Sequence, residues 1–471
     1  MKKKNDKIVM MLIVLLVFFV LSWIIEAGTF NLGLYNSQGF TRLGLIDLIA
    51  VVFSSFTSKV DYMFLFVVGG VYGVLSQTKA YRKLVDKTAE KVSHNPSVAM
   101  AVITLFTGLY ASICNEVLTL FCIAPFLVSV FLRDRHDKLT AFSAGFGGII
   151  IGILGITFGM YGVGSIYTIT GASPGDMIWL KLLVFVIAYI LYNVFAIRHM
   201  QNHCDKDNSK SDIFCPEELD ETEVKRRYRV NIVPFVVWGV VALLLVGLAY
   251  ISWTDSFGIT FFSDLHSSFQ SLVTIGDLNV FESLYGVTAK AFGAYDALLF
   301  AIFVMLVFSI IAALMEKMKV HTYMAYFGLG MKKIAKVVFM YGLAYAVVVI
   351  AMNFPWPNTI VHWMFGEGFD NVLLLLPMAF IAQIFVGNLG MFGTIHGSFI
   401  AYAFADIIGP ASFLWRLGGA FAVVVAPTSY LLLSLLTYLD IPYVEWLKYI
   451  WKFVLSFLFV VLLVLVVVIF I

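Results

Sequence analysis

The amino-acid sequence predicts an all-α polytopic membrane protein with two structural repeats, each containing a re-entrant hairpin and a broken transmembrane helix. Three observations support this prediction. Of the 471 residues, 61% are hydrophobic and only 13% are charged, whereas soluble domains are about half apolar and about a quarter charged. Several apolar segments reach about 20 residues, the length that spans a bilayer. Similar sequence patterns also recur in the two halves of the chain.

The net charge and the cysteines exclude several other classes of protein. A net charge of +2, from 31 Lys and Arg against 29 Asp and Glu, provides no basic field for nucleic acid. Two of the four cysteines lie in apolar segments and two in a hydrophilic loop, which is not a disulfide framework. The spacing of His199, Cys204 and Cys215 matches no standard zinc site. We therefore expect no nucleic-acid partner, no bound metal and no cofactor.

The first apolar run, at about 8–25, follows a lysine-rich start and resembles a signal peptide. No small-residue cleavage site follows it, however, and more apolar segments come later. We interpret it as an uncleaved span with the N-terminus in the cytoplasm. The sequence predicts spans near 8–25, 61–78, 140–172, 177–199, 230–252, 295–315, 371–408, 413–437 and 449–471.

A hydrophilic linker over 200–229 divides the chain close to its middle. Its basic residues near the flanking spans place it in the cytoplasm. The predicted domains are therefore a first transmembrane repeat over 1–199, this linker, and a second transmembrane repeat over 230–471. Paired patterns support the repeat: Asp61 and Asp296 each open a span, and the Gly-Met-Tyr-Gly that begins at Gly159 reappears as Gly-Met-Phe-Gly from Gly390.

The segment over about 98–132 predicts the first re-entrant hairpin. It is mainly apolar, with a polar centre, and basic residues flank both of its ends. One crossing would put one basic cluster outside, whereas a hairpin that enters and leaves on the cytoplasmic side satisfies both clusters. Irregular backbone at membrane depth persists only where it is buried in protein or lines a cavity.

The tip of this hairpin carries the strongest candidates for a binding site, Asn115 and Glu116. Polar groups at the bilayer midplane are expensive and are kept where they bind something. Glu116 would receive a proton, pair with a cationic amine or help hold Na⁺. Ser112 and Thr119 would add hydroxyl groups. The alternatives are that Glu116 lies at a membrane interface and that the two hydroxyls only satisfy backbone carbonyls.

The second predicted hairpin spans about 337–366, with a proline-containing tip that cannot continue a helix. Its candidate site residues are Asn353, Asn358 and Thr359. The competing interpretation is a turn at the membrane surface, where Asn and Pro are common. The acidic loop that follows suggests entry from the outside, as an inverted repeat requires. The lysines at 317–336 argue against inversion, and the predicted spans do not supply the extra crossing. Inversion stays a hypothesis.

The segments 140–172 and 371–408 are too long for one straight crossing, and glycines and polar residues interrupt both. Broken helices expose N–H groups that suit carboxylates and carbonyls that suit small cations. Close helix packing through small residues is the alternative for the glycines. His396 is either a proton relay or a structural histidine. The candidate residues in the breaks are Thr157, Gly159, Asn388 and Gly390.

These features resemble the C4-dicarboxylate anaerobic carrier family, especially its YfcC-like branch of basic amino-acid permeases. The resemblance covers most of the chain. It rests on the span Asp61–Gln77, with Phe-Val-Val-Gly-Gly-Val-Tyr-Gly-Val-Leu at 66–75, and on the hairpin from Cys114-Asn115-Glu116 to Ala124-Pro125-Phe126. The resemblance implies an ion-transporter architecture, often dimeric, in which two hairpins and two broken helices meet at a midplane site.

We therefore expect a secondary active transporter in the cell membrane, not an enzyme. It would be a symporter or exchanger that moves an amino acid, basic amino acids included, or a C4-dicarboxylate by alternating access, with Na⁺ or H⁺ as coupling ion. Its partners would be that organic acid or amino acid, the lipid bilayer and a second copy of the chain. The alternatives are a membrane-embedded transferase or glycan-processing enzyme, whose loop at about 253–294 lacks recognisable spacing, and an ion channel.

Overall fold

The fold is that of a computed structural model, which describes residues 6–57, 60–114, 116–202, 214, 231–271, 274–275, 278–285, 290–294, 298–366 and 372–470. Asn115 and nearly all of the predicted linker lie outside the described residues. The described chain is predominantly helical, as the sequence predicts, with two short antiparallel strand pairs.

The first half contains nine α-helices, one 3₁₀ helix and one β-hairpin among its described residues. They are α1 (Asp6–Ile24), β1 (Ala27–Asn31), β2 (Leu34–Gly39), α2 (Leu45–Thr57), α3 (Val60–Leu75), α4 (Lys79–His94), α5 (Pro96–Ile113), a 3₁₀ helix (Val117–Cys122), α6 (Ala124–Arg133), α7 (Lys138–Leu154), α8 (Gly164–Thr170) and α9 (Ile178–Asn202).

The second half continues with apolar helices joined by short connections and one small strand pair. Its described elements are α10 (Val233–Ala249), α11 (Trp253–Phe257), α12 (Phe261–Gln270), β3 (Thr274–Ile275), β4 (Leu278–Asn279), α13 (Val280–Tyr285), α14 (Leu299–Met315), α15 (Val320–Asn353), α16 (Trp356–Phe365), a 3₁₀ turn (Val372–Leu374), α17 (Leu375–Val386), α18 (Leu389–Ala403), a 3₁₀ turn (Ala405–Ile407), α19 (Ile408–Val425), α20 (Tyr430–Tyr438) and α21 (Tyr443–Phe470).

Within the described ranges, six helical segments are long and apolar enough to cross a bilayer, and the bent pair of α2 and α3 makes seven. The six are α1, α5, α9, α15, the segment Ala405–Tyr438 and α21. Several other apolar helices are shorter than a full span, including α7, α10 and α14. By length and composition, therefore, the chain is a multi-pass membrane protein, as predicted.

The centre of the fold is a close crossing of α3 and α15, which glycine makes possible. A Cβ atom added at Gly330 of α15 would lie 2.2 Å from the carbonyl oxygen of Gly69 in α3, and one added at Gly73 would lie 2.6 Å from the Cα atom of Gly330. Any larger residue would force the helices apart, because packed interiors have no spare volume. The glycines within 66–75 therefore serve close packing of these two helices.

Both predicted broken helices are interrupted in the structure. The helix α7 ends at Leu154 and α8 begins only at Gly164, while α17 ends at Val386 and α18 begins at Leu389. On the first side, α5 and α6 both pack along α7. On the second side, α17 and α18 both pack along α19. Each interruption therefore lies beside a neighbouring helix rather than facing open lipid.

The region predicted as the second hairpin differs from the simple picture of two arms. Residues 337–353 are the second half of the 34-residue helix α15, which is continuous with the basic amphipathic segment before it. The helix stops at Phe354 and Pro355, where the prolines remove backbone donors, and α16 follows. The break lies where the sequence places it, but the first arm is not a separate short helix.

A β-hairpin between α1 and α2 has no counterpart in the sequence-based expectations. Strands β1 and β2 pair antiparallel with Asn31 opposite Leu34. The two loop residues, Leu32 and Gly33, have φ angles of 48° and 80°, as the tight two-residue turns of β-hairpins require. The hairpin packs on α16 and α18.

Candidate transport site

The end of α5 meets the break between α7 and α8. The carbonyl oxygen of Ser112 accepts hydrogen bonds from the backbone N–H groups of Thr157 and Gly159, both at 3.1 Å. The hydroxyl oxygens of Ser112 and Thr157 lie 3.1 Å apart, and both residues are buried. A Cβ atom at Gly159 would lie 2.9 Å from the carbonyl oxygen of Ser112. Three of the predicted site residues are therefore brought together.

At the tip that follows, Glu116 begins the 3₁₀ helix. Its carboxylate accepts a hydrogen bond from the backbone N–H of Leu118 at 3.1 Å. The hydroxyl of Thr119 donates to the carbonyl oxygen of Glu116 at 2.7 Å and lies 2.9 Å from the hydroxyl of Tyr110. Thr119 thus satisfies a backbone carbonyl, the alternative that the sequence left open. Asn115, beside it, lies outside the described residues.

The second break contacts the first one directly. Asn388 caps α18 by accepting a hydrogen bond from the N–H of Met391 at 3.1 Å, and a Cβ atom at Gly390 would lie 3.2 Å from its side-chain oxygen. One turn on, the hydroxyl of Ser165 in α8 donates to the carbonyl oxygen of Gly393 at 2.5 Å. Asn388 and Gly390 therefore lie where α18 meets the first broken helix.

Tyrosines and two carboxylates surround this meeting point. The hydroxyl groups of Tyr161, in the first break, and Tyr430, at the start of α20, lie 3.3 Å apart. Tyr341 of α15 packs edge-on against Tyr430, with ring centroids 4.8 Å apart, and its hydroxyl donates to the carboxylate of Asp61. Asp61 and Glu116 both interact electrostatically with Tyr161 and Tyr430. Side chains from five separate segments thus converge.

A buried arginine reaches the same region from α19. Arg416 is 2% exposed. Its Nε donates to the carbonyl oxygen of Tyr161 at 3.0 Å, and one of its terminal nitrogens donates to the carbonyl oxygen of Ile153 at 2.7 Å. The guanidinium group therefore lies against the carboxyl-terminal end of α7, where the helix dipole places negative partial charge.

Two further polar side chains are buried near the second break. Gln383, in the last turn of α17, and Thr428, between α19 and α20, are 1% and 2% exposed. Their side-chain polar atoms have no hydrogen-bond partner among the described residues. Gly387, with a φ angle of 74°, allows the end of α17 to pack closely against Thr428, since a Cβ atom there would lie 2.7 Å from the carbonyl oxygen of Thr428. Unsatisfied buried groups are costly, so a ligand's polar atoms would suit them.

The candidate residues of the second predicted hairpin lie elsewhere, and two of the three contact the β-hairpin region. Asn353 is exposed at the end of α15. The side-chain amide of Asn358 donates to the carbonyl oxygen of Gly28 at 2.8 Å, and the hydroxyl of Thr359 donates to that of Glu26 at 2.6 Å. These contacts give Asn358 and Thr359 a structural role in docking β1 on α16.

His396 and the His199 region were also singled out from the sequence. His396 is fully buried, with its ring edge-on to Phe392 and Trp415. Neither of its ring nitrogens has a hydrogen-bond partner among the described residues. His199 lies 2.9 Å from the carboxylate of Asp137. Within the described part of the chain, no group of three or more His, Cys, Asp and Glu side chains could hold a metal ion.

The sequence-based search missed several residues of this site. Arg416 had a clear signal, because it is the only charged residue between Asp406 and Asp440, and charges inside apolar spans are rare and functional. From the sequence alone, Asp61 indicates only the internal repeat. Tyr341 and Tyr430 had no signal, because tyrosines are common throughout this sequence and only the tertiary structure brings these two together.

A family model confirms the resemblance that the sequence suggested. The model of the C4-dicarboxylate anaerobic carrier matches residues 5–470. The chain belongs to the C4-dicarboxylate anaerobic carrier family. Membership identifies a membrane transporter, as expected, rather than an enzyme. None of the curated proteins matches the sequence of this carrier.

Two solved structures are similar to the carrier over nearly its whole length. One is the YdaH transporter of Alcanivorax borkumensis, described as having an unusual topology, at 11% sequence identity and a TM-score of 0.41, with 97% of each chain covered. The other is MtrF of Neisseria gonorrhoeae, described as illuminating a class of antimetabolite efflux pumps. It has 11% identity and a TM-score of 0.39, covering 97% of this chain and 94% of MtrF.

Proposed function

We propose that this carrier is a secondary active transporter, a symporter or exchanger, for a small metabolite that carries both a carboxylate and an amino group. The observation that carries the proposal is the convergence described above. The end of α5, the break between α7 and α8, and the start of α18 meet beside Asp61 and Glu116. Broken helices that meet inside a membrane protein are a common way to build a transport site.

The amino group of the substrate would bind between the two carboxylates. Asp61, in α3, and Glu116, at the start of the 3₁₀ helix, both interact electrostatically with the Tyr161–Tyr430 pair. A cationic amine between them would be paired on both sides, and the faces of nearby tyrosine rings attract cations as well. Paired charges are the condition under which ionised groups are tolerated at membrane depth. This arrangement favours an amino acid, including a basic one, over a simple dicarboxylate.

The carboxylate of the substrate would bind at the start of α18. The first N–H groups of a helix lack partners within the helix and carry positive partial charge. Asn388 already satisfies the N–H of Met391, so the preceding N–H groups at Leu389 and Gly390 would take the ligand. The buried amide of Gln383 and hydroxyl of Thr428 would supply further donors.

Transport would follow from movement of this unit against the rest of the protein, alternately opening the site to either side of the membrane. We further propose that the N-terminus lies in the cytoplasm and that the carrier is a homodimer. Labelling of a cysteine introduced at Lys4 from one side of sealed vesicles checks the first proposal. Chemical crosslinking in native membranes checks the second.

Uptake into proteoliposomes tests the proposed site. A panel of amino acids and C4-dicarboxylates identifies the transported substrate. Asp61→Asn and Glu116→Gln should then each lower uptake at least about thirtyfold, since removing one partner of a desolvated charge pair costs about 2 kcal/mol or more. Glu445→Gln, which changes an exposed carboxylate at the start of α21, is the matched control and should transport normally. Full uptake by both site variants would refute the site, and uptake of dicarboxylates alone would refute the amine position.

A further inference from the structure

We propose that Arg416 is a built-in cation that occupies the place of a coupling sodium ion at the α7 break, so that this carrier works without Na⁺. This inference rests on the proposed transport function and specifies its coupling, which would then be to H⁺ or to a counter-substrate. It begins with the backbone carbonyl groups that the break leaves free.

The break releases the carbonyl oxygen of Ile153. In an uninterrupted helix, this oxygen would accept a hydrogen bond from the backbone N–H of Thr157, four residues further along the chain. Here the N–H of Thr157 donates instead to the carbonyl oxygen of Ser112. An unpaired buried carbonyl is costly, and the end of a helix adds negative partial charge. In broken transporter helices, such carbonyls coordinate a sodium ion.

In this protein the guanidinium group of Arg416 fills that role. It donates to the carbonyl oxygen of Ile153, in the last turn of α7, at 2.7 Å and to the carbonyl oxygen of Tyr161, within the break, at 3.0 Å. One positive charge thus joins the end of α7 to the irregular segment that follows it. Among the residues that the structure describes, no carboxylate forms an ion pair with Arg416, so these backbone oxygens are its counter-charge.

A sodium ion cannot share this position. The carbonyl oxygens of Ile153 and Tyr161 each already accept a hydrogen bond from the guanidinium, and a second positive charge beside it in a buried site would be strongly repelled. The guanidinium of Arg416 is covalently attached, whereas a bound sodium ion can dissociate. Arg416 is therefore present at any salt concentration and cannot leave with the substrate, so a Na⁺ gradient cannot drive transport through this break.

Thermal unfolding of the purified full-length protein in detergent tests this without any substrate. NaCl and choline chloride are compared at equal ionic strength. The wild type should unfold at the same temperature in both salts. In Arg416→Ala the carbonyls are freed, and Na⁺ at about 100 times its Kd should raise the unfolding temperature by about 3 °C over choline, because a ligand that binds only the folded state stabilises it. Arg416→Gln, which keeps donors but loses the charge, serves if the alanine variant cannot be purified.

The matched control is Arg82→Ala. Arg82 also donates from Nε to a backbone carbonyl oxygen, that of Ser76 at 2.6 Å, but it lies outside the breaks, so its variant should respond to Na⁺ as the wild type does. Stabilisation of the wild type by Na⁺ would overturn the proposal, and so would an Arg416 variant no more sensitive to Na⁺ than the wild type. A carrier that moves none of the tested metabolites, yet shows the expected Na⁺ pattern, would overturn only the proposed substrate.

Discussion

Gly393→Ala should separate the two broken helices where they touch. A Cβ atom at Gly393 would lie 2.3 Å from the carbonyl oxygen of Gly162, whereas non-bonded heavy atoms settle at about 3.5 Å. Gly162 has a φ angle of 86°, a left-handed conformation that its neighbours hold in place. The oxygen is backbone and cannot rotate away, so α18 and the first break must move apart by about 1 Å.

The cost of this separation follows from overpacking. Adding a methyl group to a well-packed interior costs about 1–3 kcal/mol, while replacing glycine by alanine in a helix gains up to about 1 kcal/mol. Gly328→Ala in α15 isolates the second effect, because nothing lies within 4 Å of a Cβ atom there. Relative to Gly328→Ala, the Gly393→Ala variant should therefore be less stable by about 1–3 kcal/mol.

Thermal unfolding of both purified variants measures this difference, which should be about 1–3 °C. Uptake into proteoliposomes measures the effect on transport, which should fall in Gly393→Ala alone because the candidate site lies at the same contact. If Gly393→Ala unfolds at the same temperature as Gly328→Ala and transports at the wild-type rate, the two breaks do not meet as described, and the site built on their contact is wrong.

Two further predictions concern stability outside the candidate site. Thr359→Val leaves the carbonyl oxygen of Glu26 without its donor and should cost about 1–3 kcal/mol, seen as faster proteolysis of the β-hairpin than in the exposed control Thr168→Val; equal rates would contradict this. Asp137→Ala should cost about 1–2 kcal/mol in thermal unfolding through loss of a helix cap. Burial raises the pKa of Asp137, but hydrogen bonds, including that from His199, outweigh this effect and hold the pKa below its usual 3.8. The stabilisation that the ionised Asp137 carboxylate provides is therefore complete above pH 3.8 and is lost as the pH falls through the folded-state pKa. An Asp137→Ala loss that persists in strong acid would contradict it.

Features encoded locally were predictable from the sequence. Helix breaks near Gly159 and Gly390 follow from glycine, which favours irregular backbone over helix, and in the structure the helices are interrupted near both positions. The break at Pro355 follows from proline, which cannot donate a backbone hydrogen bond. Ser112, Thr157 and Gly159 could be proposed together because hairpin and break are neighbours along the chain.

Features that depend on distant partners were not predictable. Asn358 and Thr359 have the composition of a binding tip, yet they hold β1, whose residues lie more than 300 positions away. The sequence does not predict the β-hairpin, because its short strands show no strong alternation of apolar and polar residues. The continuity of α15 across its basic and apolar halves depends on packing against α3 rather than on its own sequence.

By itself, then, the sequence determined that the chain resides in a membrane, which spans are broken, and that a few polar groups remain in apolar surroundings. These conclusions depend on composition and on local backbone preference. Only the tertiary structure decided which polar groups meet. Asp61 reaches Tyr341, and Arg416 reaches Ile153, across 280 and 263 positions. The physical reason is that a buried charge is tolerated only beside a partner, and the partner is chosen by helix packing, which no local pattern encodes.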